Sequence, residues 1–218
     1  MINRNALMVL FSCWCFAAQS QADPFTGSEK VKTRLYGFSN FDRVTILDLD
    51  GSTEVEVGKP FSVRTSIKDK YAPILEVKQV GSTLVIVFKY TKDNNKYINK
   101  PKIKVRITCP RLDSLYKRGN SDILVLNVDQ KAFYMANEGN GSAKLMGVVE
   151  QLGLKNDGNG NLNAEGLLAD EVQVQSLGNG DVLVNAKTTL LAEKQGNGNI
   201  VQLGKAKQIM RPSSAVRQ

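Results

Sequence analysis

Along most of this chain apolar and polar residues alternate with a step of two, the spacing of a β-strand that buries one face. Beyond residue 119 a glycine-rich turn punctuates the alternation at near-constant intervals. Gly119-Asn120-Ser121-Asp122-Ile123 returns as Gly139-Asn140-Gly141-Ser142-Ala143 and as Gly158-Asn159-Gly160-Asn161-Leu162. Gly178-Asn179-Gly180-Asp181-Val182 and Gly196-Asn197-Gly198-Asn199-Ile200 follow. The leading glycines are 20, 19, 20 and 18 residues apart. Register holds between the turns. Four residues after each leading glycine stands Ile123, Ala143, Leu162, Val182 or Ile200, and six after the first four stand Val125, Leu145, Ala164 and Val184. Ahead of the next turn come the pairs Phe133 and Met135, Leu152 and Leu154, Val172 and Val174, and Leu190 and Ala192.

A unit of this length with two or three short strands cannot bury its own apolar face, but stacked copies can. The repeat therefore predicts an all-β protein, a right-handed parallel β-helix: a single-stranded solenoid with coils of about twenty residues. A sandwich or an up-and-down barrel would also alternate, without requiring one turn at a fixed period. Glycine and asparagine reach left-handed backbone conformations cheaply, which a corner would use once per coil. Stacked asparagines can also form an amide ladder. Gly119, Asn120, Gly139, Asn140, Gly158, Asn159, Gly178, Asn179, Gly196 and Asn197 are thus read as a structural corner ladder.

The segment before residue 119 is strand-rich but lacks this marker. Strands are expected at Val44 to Leu49, Val55 to Val57, Phe61 to Ile67, Ile74 to Val80, Leu84 to Phe88 and Ile103 to Thr108. Asp50-Gly51, Gly58-Lys59-Pro60, Gly81-Ser82, Asp93-Asn94-Asn95 and Cys109-Pro110 separate them. The Val80-Gly81-Ser82-Thr83 stretch fits a hairpin or a tight corner. With no linker between 108 and 119, one domain is expected over residues 35–208, with irregular first coils to about residue 118 and Gly-Asn-Gly coils over 119–208. Residues 23–34 form a lead-in and residues 209–218 a cap or tail.

Residues 1–22 read as a secretory signal. Arg4 supplies the positive start, Ala6 to Phe11 and on to Ala18 the apolar stretch, and Ser20-Gln21-Ala22 the small residues before cleavage. The apolar stretch is about 13 residues, short of the about 20 that span a bilayer. A lipoprotein signal ending at Cys13 is the competing reading. Either form implies export, to the periplasm, the outer membrane or the medium.

Composition adds constraints. The chain has 218 residues, net charge +8 and no histidine. Loss of Arg4 with the signal would leave 28 basic against 21 acidic residues, net +7. Cys13 and Cys15 would leave with the signal, so Cys109 would stand alone and no intrachain disulfide could form. Its Ile107-Thr108-Cys109-Pro110 setting suggests a buried thiol, and without histidine it has no partner base of that kind.

The sequence resembles the putative auto-transporter adhesin head GIN domain family of exported bacterial proteins. Phe41-Asp42-Arg43-Val44, Gly81-Ser82-Thr83-Leu84-Val85-Ile86, Ile107-Thr108-Cys109-Pro110-Arg111-Leu112 and the glycine-rich repeats carry the resemblance, over roughly residues 35–208. The family's corners usually read Gly-Ser-Gly-Asp, so this chain departs in corner chemistry. The resemblance implies a right-handed β-helix at the cell envelope and no established site residue.

Three kinds of chemistry are open to these side chains. Asp48, Asp50, Glu54 and Glu56 flank a turn and would serve a hydrolase or lyase if they faced one another; a solvated strand face is the simpler reading. Calcium in the corners would need a carboxylate at each turn, and only Asp122 and Asp181 supply one. Residues 89–102 hold five lysines against one aspartate. Lys89, Tyr90, Lys92, Lys96, Tyr97, Lys100 and Lys102 form the candidate ligand surface, fit for an anionic polysaccharide; export argues against nucleic acid. The expectation is a non-enzymatic, adhesin-like module without cofactor or metal, meeting a glycan or an envelope partner. Self-assembly through coil edges and polysaccharide cleavage are the alternatives.

Overall fold

The computed structural model describes residues 28–91, 93, 98 and 101–211. The expected leader, residues 1–22, lies outside them. The strands in chain order are β1 (Val31–Tyr36), β2 (Arg43–Leu49), β3 (Gly51–Val57), β4 (Ser62–Lys68), β5 (Leu75–Val80), β6 (Thr83–Phe88) and β7 (Ile103–Cys109). They continue as β8 (Ser114–Gly119), β9 (Asp122–Glu138), β10 (Ala143–Asn156), β11 (Leu162–Ser176), β12 (Val182–Lys194), β13 (Ile200–Gln202) and β14 (Lys207–Arg211). One 3-10 turn, Asp69–Ile74, joins β4 to β5.

The chain does not form the expected right-handed parallel β-helix. All fourteen strands belong to one sheet of mixed orientation, whose antiparallel strands curl into a half-barrel. β1 pairs antiparallel with β4, β4 with β7, and β5 with β6. The physical reason lies in the turns of the first half. Val80 pairs with Thr83 across Gly81-Ser82, and a two-residue connection can only reverse the chain. Gly81 takes φ +56° there. Parallel neighbours also occur in this half, but β4 lies antiparallel to β7 and β5 antiparallel to β6, so it does not wind as a uniform helix.

The remaining pairs are parallel. β2 lies between β6 and β8, β3 between β7 and β9, and β9 to β12 stack in order. The register of β9 to β12 follows the sequence repeat: Ile123, Ala143, Leu162 and Val182 are successive partners, as are Phe133, Leu152, Val172 and Leu190. All eight side chains are buried. Burial changes phase within β9, from Ile123 and Val125 to Val128, where Asn127 takes φ +59°.

The corners require glycine for space more than for backbone freedom. A Cβ on Gly160 would lie 2.1 Å from the Gly141 carbonyl oxygen, and one on Gly180 2.1 Å from that of Gly160. Positive φ occurs at Gly119 and Gly139 but not at the other leading glycines. Asparagine forms the ladder. Asn140, Asn159, Asn179 and Asn197 each donate to the side-chain oxygen of the preceding asparagine, starting at Asn120, over 2.7–2.9 Å.

A second polar column runs inside. Lys117, Asn137, Asn156 and Ser176 are wholly buried at equivalent positions of β8 to β11. Asn137 donates 2.8 Å to Asn156, which donates 2.9 Å to the Gly180 carbonyl. Buried amides find the partners that an apolar interior would deny them.

Candidate functional site

The basic stretch is only partly described. Lys92, Lys96, Tyr97 and Lys100 lie outside the described residues. Lys89 follows β6 and ion-pairs with Glu76, which Lys78 also holds at 2.7 Å. The two ammonium groups pull the Glu76 carboxyl down to about 2. Tyr90 sets its ring edge-on to Phe88, centroids 4.8 Å apart. Burial, then the nearby charges of Asp50 and Asp48, push its phenol up. Lys102 is exposed ahead of β7.

The structure brings Tyr90 together with two of the carboxylates at the foot of the asparagine ladder. A shallow cleft of about 410 Å³ there is lined by Asp48, Asp50, Tyr90, Ile98, Pro101, Gly119 and Asn120. None of the described lysines lines it. Asp48 sits at φ +58° in a bulge of β2, with Arg118 donating two hydrogen bonds to it, at 2.8 and 3.2 Å. That bulge shifts the alternation, so Ile46 and Leu49 are buried while Leu47 is not. Glu54 pairs with Arg106 at 2.8 Å and Glu56 with Lys59 at 3.1 Å. Three of the four carboxylates are thus held by bases rather than set against one another. Cys109 is buried, and desolvation pushes its thiol up to about 12. No group of three or more metal-ligating side chains occurs among the described residues.

A different surface stands out on the outward face of β9 to β12. Phe133 and Met135 point inward, so Tyr134 between them points out and is 45% exposed. Its partner on β10 is Gly153, then Gln173 on β11 and Leu191 on β12. The Tyr134 ring fills the room that Gly153 leaves: a Cβ there would lie 2.9 Å from the ring. Around it runs a cleft of about 410 Å³ whose polar walls are Gln151, Glu171, Gln173 and the Arg111–Asp113 ion pair, 2.5 Å long. A second hollow of about 200 Å³ continues it past Tyr134, Gly153 and Gln173 to Glu193 and Arg211. Sequence reasoning missed this surface. The available signal was an aromatic on the polar phase of a strand with glycine one repeat later.

A model of the putative auto-transporter adhesin, head GIN domain family matches residues 40–206. The chain belongs to this family. Among solved structures, a putative adhesin from Bacteroides fragilis is similar at TM-score 0.61 and 20% identity, covering 84% of this chain and 98% of that one. A putative adhesin from Parabacteroides distasonis is similar at TM-score 0.56 and 18% identity, covering 85% and 94%. One from Parabacteroides merdae follows at 0.54 and 15%, covering 85% and 93%. No curated protein matches the chain. The head GIN domain described here thus shares its fold with proteins that carry the adhesin description. No helix among its described residues is long and apolar enough to cross a membrane.

Proposed function

We propose that this head GIN domain protein acts outside the cytoplasm as a non-enzymatic, adhesin-like binding module, offering the outward face of β9 to β12 to a glycan of the cell envelope. The observation that carries this reading is the continuous cleft along that face, built on a rigid stack of in-register strands. A rigid platform loses little conformational entropy on binding, which suits a recognition surface without moving parts. Family membership and the secretory pattern of residues 1–22 support the location. The ion-paired carboxylates, the absence of histidine and the high thiol pKa of Cys109 speak against polysaccharide cleavage. The test is retention on immobilised cell-wall and capsule polymers. Retention without release of sugar fragments is expected; indifference to every polymer, at low as at high salt, rejects the reading.

One observation favours a second reading, self-association through the last strands. Val201, Leu203, Ile209 and Met210 are 39–51% exposed at the end of the sheet, where β13 and β14 pair only with β12 among the described strands and present an edge that invites another strand. Light scattering would show concentration-dependent growth; a strict monomer excludes it.

A further inference from the structure

We infer that Tyr134 is the stacking platform of a subsite for an uncharged pyranose, with Gln151, Glu171 and Gln173 as its hydrogen-bonding frame. The inference rests on the proposed binding function and names the chemistry of its cleft.

A pyranose offers two surfaces, a flat face of C–H groups and an edge of hydroxyls. Its binding site must therefore combine an aromatic plane with side chains that both donate and accept. Tyr134 supplies the plane. The Cδ2 edge of its ring lies against Gly153, and 45% of the residue stays open to solvent. An exposed ring braced along one edge is held in place before a ligand arrives, so little side-chain entropy is lost when a sugar settles on its face.

The frame is equally specific. Among the described residues, the side chains of Gln151, Glu171 and Gln173 engage no hydrogen-bond or ion-pair partner within the protein. Each amide carries a donor pair and an acceptor, and the carboxylate accepts twice, the pattern that adjacent hydroxyls satisfy. Gln151 and Glu171 are register partners on neighbouring strands, and Gln173 partners Gly153. Amide, carboxylate and aromatic groups thus share adjoining positions on one sheet face.

Charge decides between kinds of glycan. Arg111 and Asp113 neutralise each other at one end of the cleft. Glu171 leaves the space around Tyr134 with a negative balance. A sulfated or uronic polymer would meet that carboxylate at close range, whereas a neutral hexose or N-acetylhexosamine would hydrogen-bond to it. The overall charge of +8 lies elsewhere on the chain. The hollow beyond Gln173 continues the path across β12 to Arg211. Strands lie about 4.8 Å apart, so the path from β9 across β12 to β14 is about 19 Å long, enough for a chain of several sugars and not only one.

The test compares the protein with Tyr134→Ala and Tyr134→Phe, titrated with a neutral cello-oligosaccharide, a neutral chito-oligosaccharide and heparin, at low and high salt. Circular dichroism and thermal melting verify that each variant folds. Binding of a neutral oligosaccharide that is insensitive to salt, weakened about tenfold (about 1.4 kcal/mol) by Tyr134→Ala and retained by Tyr134→Phe, is the expected result. Equal weakening by Gln173→Ala would locate the hydroxyl frame. Neutral binding unchanged in Tyr134→Ala overturns the subsite and leaves the binding function standing. Salt-sensitive binding of heparin alone also overturns it, and points to the basic stretch instead. Failure of all three ligands overturns the subsite; retention on whole envelope polymers then decides separately whether the binding function survives.

Discussion

The Lys117 ammonium lies 2.8 Å from the side-chain oxygen of Asn137, and both side chains are wholly buried. A second donation goes to the Gly141 carbonyl. A charged group therefore closes one end of the interior amide column that continues through Asn156 to Ser176. Desolvation lowers its pKa to about 8, against a weaker opposing pull from Asp122.

Stability should consequently depend on pH with a definite sign. The unfolded lysine titrates near 10.5 and the folded one near 8, so the unfolded state holds the extra proton between these values. Stability contributed by Lys117 is lowest below pH 8 and rises towards pH 10.5, by about 3 kcal/mol in all. Cys109 and Tyr116, both pushed up to about 12, work the other way above about pH 9 to 10. Denaturant melts between pH 7 and 9 should therefore show a rise that Lys117→Met lacks. A parallel pH profile in the variant would show that the buried ammonium is not coupled to folding.

Gly160→Ala should be among the most damaging single-methyl changes in the chain. Its Cβ would sit 2.1 Å from a backbone oxygen of the preceding repeat, and neither backbone can retreat without opening the corner stack. A loss of about 3 kcal/mol or failure to fold is expected from such overpacking. Thermal melting checks it; wild-type stability would mean that the corners are not in close contact.

The exposed asparagine ladder should show a position effect. Asn159 makes two side-chain bonds, 2.8 Å to Asn140 and 2.7 Å from Asn179, whereas Asn197 makes one, to Asn179. Replacement by alanine should cost about 1 kcal/mol at 159 and about half that at 197, because exposed bonds exchange with water. Equal losses in urea melts would separate the ladder from stability.

Cys109 should resist thiol reagents in the native state. It is wholly buried and its thiolate is scarce at neutral pH. Labelling should proceed at the rate of unfolding and become fast in denaturant; rapid native labelling would contradict the burial.

What could be read from the sequence was what repeats. The inward pairs from Phe133 and Met135 to Leu190 and Ala192 follow from a step of two in a fixed frame, and the stacked corners follow from five similar turns. Non-repeating features stayed hidden. The partnership of β4 with β1 and β7 joins distant segments, and no local pattern specifies antiparallel pairing across such separations. The bulge at Asp48, set by one positive φ, turns both Ile46 and Leu49 inward three positions apart, where a step of two would bury only one of them. Lys117 resembles any polar strand residue until its position places it inside. Tyr134 resembles core, flanked as it is by Phe133 and Met135, until its phase shows it to face out. Charge points to the lysine-rich stretch because it is visible in composition, whereas a cleft made of register partners is not.

The corner stack also bears on how such a protein can change over evolutionary time. Each repeat rests on its predecessor through the same glycine contact, the same amide bond and the same inward aliphatics. Duplicating one unit would lengthen the molecule by a single rung of about 4.8 Å without rewriting its neighbours. Deletion would shorten it equally cleanly. The reach of the groove beside Tyr134 is therefore adjustable in whole steps, while the half-barrel of antiparallel strands that seals the opposite end remains untouched.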